Sequence, residues 1–233
     1  MNHIEIYRPA DERFIKLEVE RRGLDPLAFE GYVHPREDYH AISKNKPIFV
    51  VADGVTLPIV AGEKYPDPSP AGELTKSFCA RMVSELESGV EIKTAFAAAN
   101  RSVAKFNAAA TTAFVRIKDN LAEWGSVCDS YIFHFDKDRN FLTRSPSCKP
   151  YAVVNGETEV EDHLNTGSFE LKSGELLAIC TDGFEHYLSR EKFLEQTFVP
   201  WETETSLAHL ESEFIALDPD KYGHERTLVL VWA

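Results

Sequence analysis

The spacing of hydrophobic positions changes period several times along the chain. From Ile48 to Ala52 it is unbroken and rich in Val and Phe, which predicts a short buried strand; Asp53 and Gly54 follow at once. Pro58, Pro66, Pro68 and Pro70 then keep a loop over 55–70 out of helix and central strand. Beyond it the period becomes helical. Leu74, Phe78, Met82, Val83 and Leu86 share one face, and Ile92, Phe96, Ala99, Val103 and Phe106 share the next. Glu87-Ser88-Gly89 between them predicts an αα-hairpin, with both stripes read as core. Alternation returns over 111–118, where Ala113, Val115 and Ile117 lie on one face. A turn at Asp119-Asn120 and strands over 121–127, 131–135 and 141–144 extend this into a β-meander, with a polar turn over 136–140.

The remaining segments are less regular. Residues 1–30 are mixed and charged, fitting a short helix or an edge segment. Strands over 30–34 and 39–43 flank the turn Pro35-Arg36-Glu37-Asp38. Asn155-Gly156 predicts a hairpin turn. A second apolar strand, Leu176–Cys180, ends in Thr181-Asp182-Gly183. A polar helical region over 189–217 is broken at Val199-Pro200-Trp201. Gly223-His224-Glu225-Arg226 leads into a last apolar strand over 227–232. With no repeat, low-complexity tract or linker composition, the reading is one domain over 1–233.

Charge narrows the partners. The 233 residues carry 25 basic and 38 acidic side chains, a net charge of −13, which disfavours nucleic acid and anionic membranes. The four cysteines include no C-x-x-C pair, so zinc-knuckle and thioredoxin chemistry are unsupported. No signal-peptide pattern opens the chain and no stretch approaches the length of a membrane span. The expected setting is a reducing cytoplasm, and the expected state a monomer.

The candidate chemistry lies at strand ends and tight turns: Glu37, Asp38, Asp53, Gly54, Asp129, Asp182, His224 and Glu225. Asp-Gly is also an ordinary turn dipeptide, so either copy alone would say little. Together the set is almost all hard oxygen donors with at most one imidazole, which suits Mn²⁺ or Mg²⁺ better than structural zinc. Several carboxylates stay ionised in one place only beside cations. Two metals about 3.5–4 Å apart is the spacing used in phosphatases and nucleases.

The order of these motifs resembles that of the metal-dependent protein serine/threonine phosphatases, the PPM or type 2C family. The resemblance rests on Arg36-Glu37-Asp38, on Phe49-Val50-Val51-Ala52-Asp53-Gly54 and on Thr111-Thr112. It continues through Cys128-Asp129-Ser130, Leu142-Thr143-Arg144, Cys180-Thr181-Asp182-Gly183 and His224-Glu225-Arg226-Thr227, in order over 31–232. It implies an α+β fold, a four-layer αββα sandwich of two antiparallel sheets flanked by helices. It also implies roles: Asp53 bridging two metal ions with the Gly54 carbonyl on one, and Asp182 on the other. Asp38 would act through water, and Asp129 would help hold a third ion. A metal-activated water would hydrolyse phosphoserine or phosphothreonine of a protein substrate, without a covalent phosphoenzyme.

Departures from the family pattern are informative. Val55-Thr56-Leu57-Pro58 stands where a further glycine usually follows Asp-Gly, and Cys128 replaces a usual glycine. Val33 and His34 occupy the region of the family's phosphate-gripping arginine, which leaves Arg36 as the candidate for that role. The last metal-binding aspartate aligns with His224, so either His224 or Glu225 completes the set. His224 also motivates a rival reading, a pseudophosphatase serving as a phosphoprotein-binding or regulatory module. A haloacid-dehalogenase-type phosphatase is excluded because Val51 stands where its nucleophilic Asp belongs. The chain has no glycine-rich nucleotide loop and no G-x-S-x-G elbow.

Overall fold

The fold is described from a computed structural model, over residues 1–29, 32–55, 66–147, 153–199 and 203–233. Ten strands are recorded: β1 (Asn2–Arg8), β2 (Tyr39–Ile42), β3 (Ile48–Gly54), β4 (Ala110–Lys118), β5 (Leu121–Val127), β6 (Tyr131–Phe135), β7 (Phe141–Arg144), β8 (Asn165–Glu170), β9 (Leu176–Cys180) and β10 (Arg226–Trp232). The helices are α1 (Glu12–Arg21), α2 (Pro70–Ser88), α3 (Ile92–Ser102), α4 (Asp182–Leu188), α5 (Glu191–Thr197), α6 (Thr203–Leu217) and α7 (Pro219–Tyr222). None of those described is long and apolar enough to cross a membrane.

The strands form two five-stranded sheets in the orders β1-β10-β9-β6-β7 and β2-β3-β4-β5-β8, with every pairing antiparallel. Period-two alternation sorts each strand between two faces. On β3, Ile48, Val50 and Ala52 pack on the helix pair α2/α3, beside Phe78, Met82 and Phe96. Phe49 and Val51 point the other way, against Ile179 of β9 and Val229 of β10. The outer face of the β1-β10-β9-β6-β7 sheet, with Tyr131, Ala178 and Leu228, buries itself against Phe184, Tyr187 and Leu207. The expected α+β sandwich, helices outside and two sheets inside, is the one observed.

The helical hairpin forms where the stripes predicted it. Ser69 caps α2, its hydroxyl accepting from the Gly72 N–H at 3.1 Å with Pro70 at the first position. Gly89 closes α2 at φ 88. The predicted stripe of α3 overruns its end, because α3 stops at Ser102. There the 155–157 turn docks on it: Asn100 donates to the Glu157 carbonyl at 2.7 Å and accepts from the Gly156 N–H at 2.9 Å. That contact also explains why Asn155-Gly156 makes no hairpin.

Three other expectations change. The predicted meander is two hairpins in different sheets. β4 and β5 pair through the Asp119-Asn120 turn, whose φ values of 49 and 65 suit a tight hairpin. The chain then crosses at 128–130 to pair β6 with β7 in the other sheet. Asp129 thus sits on a link between sheets rather than inside one. The expected strand over 30–34 is absent from its described part, 32–34, where the Tyr32 N–H turns back to the Phe29 carbonyl at 3.0 Å. The N-terminal segment supplies both an edge strand, β1, and a helix, α1. Most of the proline-rich loop, the break at 200–201 and Cys148 lie outside the described residues.

Candidate active site

The layer between the sheets is apolar along most of its length and turns polar at one end. The register shows this strand by strand: Phe49 and Val51 give way to Asp53, and Ala113 to Thr111. Ile179 gives way to Thr181, and Val229 to Thr227. Asp53 pairs with Thr111 across β3 and β4. The Thr111 hydroxyl meets that of Ser130 at 2.8 Å, and Thr181 donates to an Asp38 carboxylate oxygen at 2.8 Å. At this end the sheets separate into a cavity of about 250 Å³ lined by Asp53, Asp182, His224, Glu225 and His34. Larger depressions of about 740 and 580 Å³ lie elsewhere and contain neither Asp53 nor Asp182.

The two Asp-Gly pairs reach this end differently. Asp53-Gly54 finishes β3, whereas Asp182-Gly183 begins α4. Neither glycine adopts positive φ. Both are there for space: a Cβ on Gly54 would stand 2.9 Å from the Glu37 carbonyl oxygen and 2.9 Å from the Ala71 Cβ. On Gly183 it would stand 2.5 Å from the Glu225 carbonyl oxygen. Glycine therefore lets the acidic segment and the start of β10 close on the two aspartates. Positive φ occurs instead at Cys128, at 65, the position where the resembling family usually has glycine.

The acidic segment is held from several sides. Asp38 and Glu37 are both buried. Glu37 spends its carboxylate on structure, accepting from Ser69 at 2.9 Å and meeting His34 Nε2 at 2.9 Å. Its carbonyl accepts from Thr75 at 2.7 Å. Glu225 receives the Glu37 and Asp38 N–H groups at 3.0–3.2 Å and the Tyr7 hydroxyl at 2.9 Å. The Arg36 guanidinium lies 4.0 Å from the ring centres of Tyr7 and Tyr39, and its Nε donates to the Asp38 carbonyl at 2.8 Å. Arg36 is thus engaged in a clamp on the segment.

What faces the cavity from the strand ends is a group of carboxylates that repel one another. Asp53 lies within hydrogen-bonding reach of Asp38 and Asp182. Burial, then repulsion from Asp38, Asp182 and Asp129, raises the Asp53 carboxyl well above its ordinary range. Burial and the Glu225 charge raise Asp38 likewise, against the Thr181 hydrogen bond. Asp182 is raised by burial and by Asp129, with His224 opposing. Among the described residues no three His, Cys, Asp or Glu side chains form a ready-made ligand set. The donor chemistry nonetheless fits a divalent cation, which would offset both the burial cost and the repulsion of these hard oxygens.

Sequence reasoning missed the wall of the cavity. Phe14, Glu18 and Arg21 of α1 and Arg22 just after it line it. A signal existed: Asp11 caps α1, accepting from the Arg13 N–H at 2.9 Å, and Arg21-Arg22 precede Gly23 at φ 65, as a basic C-terminus before a left-handed glycine. Two other histidines serve structure. His134 pairs with Glu175 at 2.8 Å against Phe169, and His40 with Glu5 at 2.6 Å. Arg144 pairs with Glu185 at the rim of β7, and Lys149 lies outside the described residues.

Neither a protein-family model nor a curated protein sequence matches the chain. Solved structures do. The photosystem II phosphatase PBCP matches 100% of this chain and 98% of its own, with a TM-score of 0.67 at 12% identity. The catalytic domain of the serine/threonine protein phosphatase PstP, in complex with two manganese ions, matches 98% of this chain and 96% of its own, with a TM-score of 0.60 at 15% identity. The PP2C phosphatase domain of SpoIIE from Bacillus subtilis matches 99% of this chain, covering 63% of that one, with a TM-score of 0.59 at 14% identity. Identities this low speak to the fold, and the fold is that of the PPM phosphatases, as the ordered motifs implied.

Proposed function

We propose that this chain is a metal-dependent protein phosphatase, hydrolysing phosphoserine and phosphothreonine in a protein substrate. The observation that carries the reading is the convergence of Asp38, Asp53 and Asp182, with Asp129 close enough to repel, at the polar end of the inter-sheet layer. Asp53, the Gly54 carbonyl and Asp182 would hold two Mn²⁺ or Mg²⁺ ions, and Asp129 would contribute to a third. When bound, such ions polarise phosphoryl oxygens and lower the pKa of water.

The chain's own residues supply the rest. Asp38, which accepts from the Thr181 hydroxyl at 2.8 Å, would orient water beside Asp53 and take up a proton. Arg21 and Arg22 line the cavity wall, where Arg21 pairs with Glu18 at 2.6 Å and Asp220 at 2.7 Å and Arg22 with Glu18 at 3.3 Å; an anionic substrate would have to take over those pairs, and Arg36 is held between two tyrosines. Hydrolysis needs no side-chain nucleophile. The three cysteines described, Cys79, Cys128 and Cys180, are buried thiols.

The rival reading, a phosphoprotein-binding pseudophosphatase, is favoured by His224 in place of an aspartate. Manganese-dependent release of phosphate from a phosphopeptide separates the two. Activity lost in Asp53→Ala is the expected result. Activity that survives this substitution overturns the site, and binding of phosphopeptide without turnover in the unaltered chain favours the rival.

A further inference from the structure

Resting on the proposed metal-dependent reading, we infer that His224, through Nδ1, is a metal ligand, and that Glu225 is not. A nitrogen donor then tunes the site toward Mn²⁺ over Mg²⁺.

Glu225 is already committed. Its Oε1 accepts from the Tyr7 hydroxyl at 2.9 Å, from the Glu37 N–H at 3.0 Å and from the Asp38 N–H at 3.2 Å. Its Oε2 accepts from the Glu37 N–H at 3.1 Å. These bonds hold the acidic segment off any neighbouring strand. Turning the carboxylate to a cation would leave two backbone N–H groups unpaired in a largely buried place, which costs about 1–3 kcal/mol for each. Its work is to position Asp38.

His224 is oriented for the opposite role. Its Nε2 lies 2.8 Å from the Asp220 backbone carbonyl, an atom that can only accept. Nε2 therefore carries a proton, and in the neutral ring the lone pair is left on Nδ1. Phe14 supports the ring face at 4.1 Å between centres with a 36° tilt. An imidazole whose far N–H is tied to a backbone carbonyl is the arrangement that fixes metal-ligating histidines. The same ring borders the cavity that Asp53 and Asp182 line. Imidazole suits first-row transition ions and suits Mg²⁺ poorly.

The test is electron spin echo envelope modulation of Mn²⁺ added to the purified chain. Directly bound ¹⁴N is expected in the unaltered protein and in Glu225→Gln. It is expected to vanish in His224→Asp, while Mn²⁺ still binds and the Mn²⁺:Mg²⁺ affinity ratio falls roughly tenfold or more. Bound Mn²⁺ without a ¹⁴N coupling in the unaltered protein overturns the inference and leaves the carboxylate site standing. A coupling that persists in His224→Asp also overturns it, by pointing to another imidazole such as His34. Failure of Mn²⁺ to bind at all sinks the metal-dependent reading first and this inference with it. The measurement on unaltered protein decides the matter even where a variant does not fold.

Discussion

Asp53-Gly54 and Asp182-Gly183 are the same dipeptide after the same kind of apolar strand, yet they meet the cavity in different ways. Asp53 is still in a sheet, paired with Thr111, and is surrounded by Asp38, Asp182 and Asp129. Asp182 opens a helix, and there the nearby His224 opposes the upward shift of its carboxyl. A carboxylate at the first turn of a helix is also favoured by the backbone dipole. One aspartate is thus the most crowded by like charge, and the other has local relief. Among identical motifs, the element that follows the dipeptide sets how much an unpartnered charge costs.

The comparison is broken most sharply by Asp53→Asn and Asp182→Asn. On the proposed reading both should reduce manganese-dependent phosphatase turnover by roughly 10³-fold, since each would remove a metal ligand. In chelator-treated protein, however, Asp53→Asn should raise the melting temperature more than Asp182→Asn does, because it removes more repulsion. Equal shifts would show that the two sites feel similar fields.

Next come the glycines. Gly183→Ala and Gly54→Ala should each destabilise the fold by about 1–3 kcal/mol through overpacking. The first should cost more, because the added Cβ meets a backbone oxygen at 2.5 Å rather than at 2.9 Å. Chemical denaturation reads the order directly, and a reversed order would mean that the start of β10 yields more easily than the acidic segment.

The effect of pH sharpens the electrostatic side. Asp38, Asp53 and Asp182 titrate higher in the folded chain than in the unfolded one. The folded state therefore holds more protons, and the contribution of these groups to stability falls as pH rises from the ordinary carboxylate range, about 4, through the raised values. The melting-temperature gain on adding Mn²⁺ to chelated protein should accordingly be larger at pH 8 than at pH 5. A constant gain would argue against the cluster as the binding site.

The smallest expected effect is at Thr181, whose hydroxyl donates to Asp38 and accepts from the Thr227 N–H at 2.9 Å. Thr181→Val should cost about 1 kcal/mol of stability by thermal or chemical melting. It should also weaken turnover far less than Asp53→Asn does.

Legibility in the sequence followed the range of the interactions. Strand β3, the helix pair α2/α3 and both late apolar strands were readable because burial on a periodic face writes itself into neighbouring residues. Asp53 and Asp182 were readable as candidates from the repeated dipeptide and the ordered motifs. The meander was misread because pairing between sheets depends on the crossing at 128–130, where left-handed Cys128 carries no glycine signal. Arg36 looked free to grip phosphate, but Tyr7 and Tyr39, arriving from two strands, and the Asp38 carbonyl engage it.

The sequence alone determined which residues alternate, which strands are apolar on both faces, and that two aspartates end such strands. Tertiary structure alone decided which carboxylates share a cavity and which are spent on holding the chain. Glu37 and Glu225 lie beside Asp38 and His224 in the sequence. Yet the glutamates are bound by Ser69, Tyr7 and backbone N–H groups, while Asp38 and His224 border the cluster. Local pattern fixes the direction of a side chain relative to its own strand. Whether that direction meets a partner, a like charge or open space depends on segments up to 218 residues away.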